Sequence, residues 1–128
     1  MRIEHVALNV SDPPGMAAWY AEHLRMKVVR HRRGAVEAFF IADGTGNTLL
    51  EIYRNPPDQV PDYPRQDPLQ LHLAFCSEDV AGDYTRLLAA GATAVDPPER
   101  LPTGDLLAMV RDPWGLPLQL VQRAEPMV

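Results

Sequence analysis

Two histidines sit in stretches that read almost as the same text: His5 in "IEHVALNVSD" at 3–12 and His72 in "LQLHLAFCSEDV" at 69–80. An imidazole at such a position can ligate a metal or move a proton near neutral pH. A lone strand histidine is more often a hydrogen-bonded structural residue, so the duplication is what gives the pair weight. A second pair follows from the turns "DGTGN" and "DPWG", where Asp43 and Gly46 answer to Asp112 and Gly115. The strands after them, "TLLEIY" and "LPLQLV", then align so that Glu51 corresponds to Gln119. A carboxylate and an amide carbonyl can each offer an oxygen to a cation, but only the carboxylate can also take a proton near neutral pH.

The elements that must carry these residues are legible from period and punctuation. At the strand period of two, Val6, Leu8 and Val10 share one face, and His5, Ala7 and Asn9 the other. In the second copy Leu69, Leu71, Leu73 and Phe75 oppose Gln70, His72, Ala74 and Cys76. Each copy runs into a helix signal. Ser11 or Asp12 caps the first, with Pro13 in its first turn; Asp79 caps the second and Gly91 stops it. Met16, Tyr20 and Leu24 are expected to form one buried stripe, and Val80, Tyr84, Leu87 and Leu88 the other. After the first helix come the strands "KVVRHRR", "VEAFFIA" and "NTLLEIYR"; after the second come "TAVDPPERL", "DLLAMVR" and "PLQLVQR". Each half is β-α-β-β-β. Between them "NPPDQVPDYPRQDP", with five prolines in fourteen residues, reads as a semi-rigid linker. The chain is thus expected to be one domain over 1–128, with module 1 at about 2–55, the linker at about 55–68 and module 2 at about 69–123.

Composition removes other classes of answer. With 128 residues and 46% apolar composition, one core of useful size is affordable. Seventeen acidic residues against twelve basic give a net charge of −5, which argues against a nucleic-acid partner. No apolar stretch approaches a membrane span, and no signal peptide is evident at the start, so a cytoplasmic location with no membrane partner is expected. A single cysteine, Cys76, excludes an internal disulfide and a cysteine-based zinc cluster. Any metal site must use His, carboxylate and amide.

Two βαβββ modules, with His in each first strand and Glu or Gln in each last strand, resemble the vicinal oxygen chelate superfamily of glyoxalase I, methylmalonyl-CoA epimerase, fosfomycin resistance enzymes, extradiol dioxygenases and metal-free bleomycin-binding proteins. The resemblance spans about Arg2 to Arg123. It implies an α+β fold in which two βαβββ modules form a curved mixed sheet around a cavity, with His5, Glu51, His72 and Gln119 as metal ligands. Two imidazoles, a carboxylate and an amide oxygen suit Zn, Ni, Co, Mn or Fe(II), with two positions open to water or a bidentate substrate. Bacterial glyoxalase I resembles His, Glu, His, Glu at these positions, so Gln119 departs from it and removes its usual base. His23 and His31 have no repeat partners and are read as surface residues.

The resemblance implies a divalent-metal-dependent enzyme of lyase or isomerase type, acting on a small carbonyl or oxyanion-forming substrate, with Glu51 or Glu37 handling a proton. The alternative from another class is a metal-free small-molecule binding or sequestration protein of the bleomycin-resistance type. An Fe(II) dioxygenase ranks below both. Strand alternation nominates Phe39, Tyr53, Leu107, Met109 and Val121, with Glu37, as lining of the pocket. A homodimer is expected, because family members of this length commonly pair modules between chains.

Overall fold

The β1 strand (His5–Asn9) turns Leu8 inward, and Val10 just beyond it is fully buried, while His5, Ala7 and Asn9 alternate to the other face. In the computed structural model, which describes residues 1–47 and 49–127, the chain forms two compact units, Met1–Pro61 and Asp62–Val128. Each is a βαβββ module with its own mixed four-stranded sheet, and the fold class is α+β.

In the first unit α1 (Pro13–His23) is followed by β2 (Lys27–Arg32), β3 (Ala38–Ala42) and β4 (Leu49–Tyr53). The sheet order is β1-β4-β3-β2. β1 and β4 are parallel, a pairing that requires the intervening crossover. α1 starts where Asp12 Oδ1 accepts from the Gly15 amide at 3.1 Å and Pro13 occupies the first turn. Met16 and Tyr20 are fully buried, as are Ile41 and Ile52 on the strands that α1 packs against. Leu24, expected in the buried stripe, is only half-buried. The helix has already ended there, and after the left-handed Arg25 (φ 56) Met26 turns inward instead. Thr48, at the expected start of the last strand, lies outside the described residues.

The second unit opens with a single 3-10 turn, Tyr63–Arg65. It continues through β5 (Leu73–Cys76), α2 (Val80–Ala89), β6 (Thr93–Arg100), β7 (Leu106–Arg111) and β8 (Pro117–Gln122), ordered β5-β8-β7-β6. Asp79 caps α2 through the Gly82 amide at 2.9 Å, and Gly91, at φ +100, follows its C-terminus. Val80 and Leu87 are fully buried, but Tyr84 and Leu88 are only half-buried, so the buried stripe is narrower than expected. Pro97 and Pro98 cannot donate to a ladder. Accordingly β6 is an edge strand whose register shifts between Asp96 and Glu99.

The proline-rich stretch is tied down at both ends. Asn9 Nδ2 donates to the Pro56 and Gln59 carbonyls, and Asn9 Oδ1 accepts from the Asn55 amide. In the second unit the Arg111 guanidinium donates to the Tyr63, Gln66 and Gly115 carbonyls. A Cβ at Gly115 would fall 2.4 Å from Pro64 Cγ, so only glycine allows this approach. Among the described residues, no helix is long and apolar enough to cross a membrane.

One strand is shorter than its pattern suggested. Residues 69–72 do not continue β5. Asp67 Oδ1 accepts from the Leu69 amide at 2.9 Å, and its carbonyl from the Gln70 amide, so this side chain captures the backbone in a turn before Leu73. Leu69 is left 84% exposed.

Candidate functional site

In the first unit, register decides which side chains share a face. Glu51 pairs with Ala7 on β1 and with Phe40 on β3, and Phe40 pairs with Arg30 on β2. The adjoining rows on this face are Arg32, Ala38, Tyr53 and Asn9 on one side, and Lys27, Ala42, Leu49 and His5 on the other. The opposite face carries Leu8, Leu50, Ile52 and Ile41, all buried. His5 therefore stands one row from Glu51, with its ring edge-on to Phe40 at 6.0 Å. Its Nε2 lies 3.6 Å from Glu51 Oε2, and its Nδ1 is hydrogen-bonded to the neighbouring Glu4 carboxylate. The second Glu51 oxygen is 3.5 Å from Arg32 Nη2. An open depression of about 280 Å³ lies here, lined by Arg32, Val36, Glu51, Tyr53 and Asn55.

The second unit repeats the pattern with other chemistry. Gln119 pairs with Ala74 on β5 and with Met109 on β7, and Met109 with Asp96. The next row is Cys76, Val121, Leu107 and Glu99. His72 precedes Ala74 by two residues, as His5 precedes Ala7. Its Nδ1–H donates to the Pro68 carbonyl at 2.8 Å. A carbonyl can only accept, so Nδ1 carries a proton, and in the neutral ring the lone pair is on Nε2. A smaller depression of about 140 Å³ is lined by Gln119, Leu107, Met109, Asp96 and Glu99 among others.

Two nominated residues fall elsewhere. Phe39 pairs with Ile52 and His31, on the face opposite Glu51; in the run "FF" it is Phe40 that shares the Glu51 face. Glu37 lies before β3 and its carboxylate accepts from His31 Nε2 at 2.6 Å, while the His31 ring stacks on Phe39 at 4.2 Å. That cluster belongs to the opposite face, so Glu37 is separated from Glu51 by the sheet. His31 and His23, read as surface residues, are half-buried against Phe39 and Trp19. Tyr53 shares the face of Glu51, whereas Leu107, Met109 and Val121 share that of Gln119. Arg32, Phe40 and Asn55 were missed in the first unit, and Asp96 and Glu99 in the second. A β2 bulge between Val28 and Arg30 sets the direction of Arg32, and nothing in the sequence announces it.

Among the described residues, no three His, Cys, Asp or Glu side chains converge as a metal-binding group. The first unit supplies one imidazole beside one carboxylate, and the second one imidazole just ahead of β5 and one amide on β8. The 3.6 Å between His5 Nε2 and Glu51 Oε2 is less than two zinc–ligand bonds of about 2.0–2.2 Å laid end to end, so this pair fits a divalent ion.

The profile of the Glyoxalase/Bleomycin resistance protein/Dioxygenase superfamily matches residues 2–120. The chain belongs to this superfamily. Glyoxalase-superfamily proteins include glyoxalase I enzymes and non-enzymatic binding proteins, and many depend on a metal. No functionally curated protein matches the sequence significantly. Among solved structures, the chain is similar to TnmS3, an antibiotic binding protein from Streptomyces sp. CB03234, with 23% identity, a TM-score of 0.76 and 97% of both chains covered. It is similar to glyoxalase I from Zea mays at 24% identity and a TM-score of 0.79, covering 97% of this chain and 45% of that one. It spans a little under half of the maize enzyme. A glyoxalase family protein from Bacillus cereus aligns at 18% identity and a TM-score of 0.80, covering 94% of this chain and 93% of the other. At these identities the likeness concerns the fold.

Proposed function

We propose that the chain is a divalent-metal-dependent glyoxalase-superfamily enzyme of lyase or isomerase type, acting on a small carbonyl or oxyanion-forming substrate. In this reading the two units are modules of one glyoxalase-like domain, working as a homodimer, and His5, Glu51, His72 and Gln119 hold the ion. Zn, Ni, Co, Mn and Fe(II) all accept such a donor set. The observation that carries the reading is the pair His5 and Glu51. In neutral His5 the Nδ1 proton goes to the Glu4 carboxylate, and Nε2 then presents its lone pair 3.6 Å from a Glu51 oxygen. Two electron-rich atoms so placed are satisfied by a cation between them.

A bound divalent ion supplies Lewis-acid polarisation of a carbonyl oxygen. The protein's own groups do the rest. Pro68 fixes His72 in the tautomer with Nε2 free, and Glu4 orients His5 in the same sense. Glu51 is the proton acceptor of its face, because the Gln119 amide cannot take a proton near neutral pH. Glu37, bonded to His31 across the sheet, has no part in the reaction. Tyr53 lines the depression beside Glu51, and Leu107 and Met109 line the one beside Gln119.

Elemental analysis and calorimetric titration of wild type and His72→Ala test the reading. The wild type is expected to take about one divalent ion per complete site and the variant less. Equal content in the two removes His72 from the site. A wild type that takes no ion favours a second reading, metal-free sequestration of a small molecule, which the likeness to the antibiotic binding protein TnmS3 supports at the level of fold.

A further inference from the structure

In a chain of net charge −5, Lys27, Arg30 and Arg32 all stand on the face that carries Glu51. The rows that hold Arg30 and Arg32 hold Asp96 and Glu99 in the second unit, so a cation in those two rows belongs to the first unit alone. Arg30 lies over the Phe40 ring at 6.0 Å. Arg32 is closer to the chemistry, since it lines the depression with Glu51, Tyr53, Val36 and Asn55. Between Arg32 and Tyr53 in their row stands Ala38, itself fully buried.

The Arg32–Glu51 contact is loose. At 3.5 Å it exceeds the 2.7–2.9 Å usual for a charge-assisted hydrogen bond. The Arg32 side chain is 53% exposed and lines the depression. An anion beside Glu51 would be repelled unless a cation stood near both, and the Arg32 guanidinium lines the same depression. Its planar fork suits a carboxylate.

We propose that Arg32 is a specificity-determining residue that selects substrates bearing a carboxylate, seated in the depression beside Glu51. This rests on Glu51 belonging to the reaction site. The depression of about 280 Å³ takes a small organic acid with its ring or chain against Tyr53 and Val36.

The test is NMR titration of the metal-free protein with mandelate and with mandelamide, a neutral ligand of nearly the same shape, followed at the Tyr53 and Asn55 amides and at Arg32 Nε. Mandelate is expected to bind about tenfold more tightly than mandelamide, as one solvent-screened charge-assisted hydrogen bond implies. In Arg32→Gln the ratio should fall to about one with thermal unfolding unchanged, and Arg32→Lys should retain part of it. A wild-type ratio near one, no binding of mandelate at millimolar concentration, or an unchanged preference in Arg32→Gln overturns the proposal. Metal titration of the same proteins separates the two readings. Loss of mandelate preference in Arg32→Gln, in a protein that takes no ion, sustains the carboxylate subsite while the metal-enzyme reading fails. Metal uptake with no dependence of mandelate binding on Arg32 overturns the subsite alone.

Discussion

At the scale of single residues, the proposed ligand set differs from the His, Glu, His, Glu pattern of glyoxalase I at Gln119, and the surroundings of that side chain sharpen the consequence. Gln119 and Asp96 line one depression, so a carboxylate at 119 would face a like charge unless a cation lay between them. Gln119→Glu is therefore expected to lower the unfolding temperature in chelator and to show a larger rise than wild type when Ni or Zn is added. Calorimetric titration should show tighter metal binding, because an anionic oxygen replaces a neutral one. If the missing carboxylate is what blocks hemithioacetal isomerisation, glyoxalase activity should rise by about 10²- to 10⁴-fold, the range of general acid–base catalysis. Tighter metal without activity would mean a pocket shaped for another substrate. Unchanged affinity would place residue 119 outside the coordination sphere and put the sequestration reading ahead.

At the scale of elements, the chain just beyond the last strand of the second unit is pinned by one carboxylate. Asp105 accepts from the Ala124 amide at 2.9 Å and from Arg123 at 2.8 Å. The Ala124 hydrogen bond first, and then Arg123, hold its carboxyl below the ordinary carboxylate value. The folded protein thus binds this proton less readily than the unfolded chain. The resulting stability is present above the unfolded pKa and lost as pH falls through the lower, folded one. Asp105→Asn should unfold at a lower temperature than wild type at pH 7, with the gap closing below about pH 4; calorimetry across that range checks it. In the same sheet Leu118 is fully buried, and Leu118→Ala is expected to cost about 2–5 kcal/mol in denaturant melts. Caps, periods and the DPWG turn made these elements legible, because each is a local rule written in adjacent residues. What escaped was set by pairing. Strict alternation from Lys27 would turn Val29 and His31 toward Glu51, but the bulge before Arg30 substitutes Arg30 and Arg32. Neither the choice between Phe39 and Phe40 nor the turn that Asp67 imposes ahead of His72 has a periodic signature.

At the scale of the whole molecule, among the described residues each sheet has two edge strands: β1 and β2 in the first unit, β5 and β6 in the second. Unpaired strand edges and apolar residues left in water favour association. The first unit exposes Val6, Val28 and Val29 along β1 and β2, with Ile3 just ahead of β1. A homodimer is expected on these grounds, with twice the 14.3 kDa chain mass in light scattering at micromolar concentration. Its unfolding temperature should rise with protein concentration, since mass action stabilises a folded dimer. Val29→Lys, a change on an exposed edge residue, should shift the scattering mass toward monomer and leave far-ultraviolet circular dichroism unchanged. Metal content measured on the same samples then tells which pairing of modules completes the proposed site. Ion binding that falls in step with the dimer would mean ligands from two copies. A monomer that still takes one ion would refute the dimer and leave His5, Glu51, His72 and Gln119 of a single chain to supply the whole set.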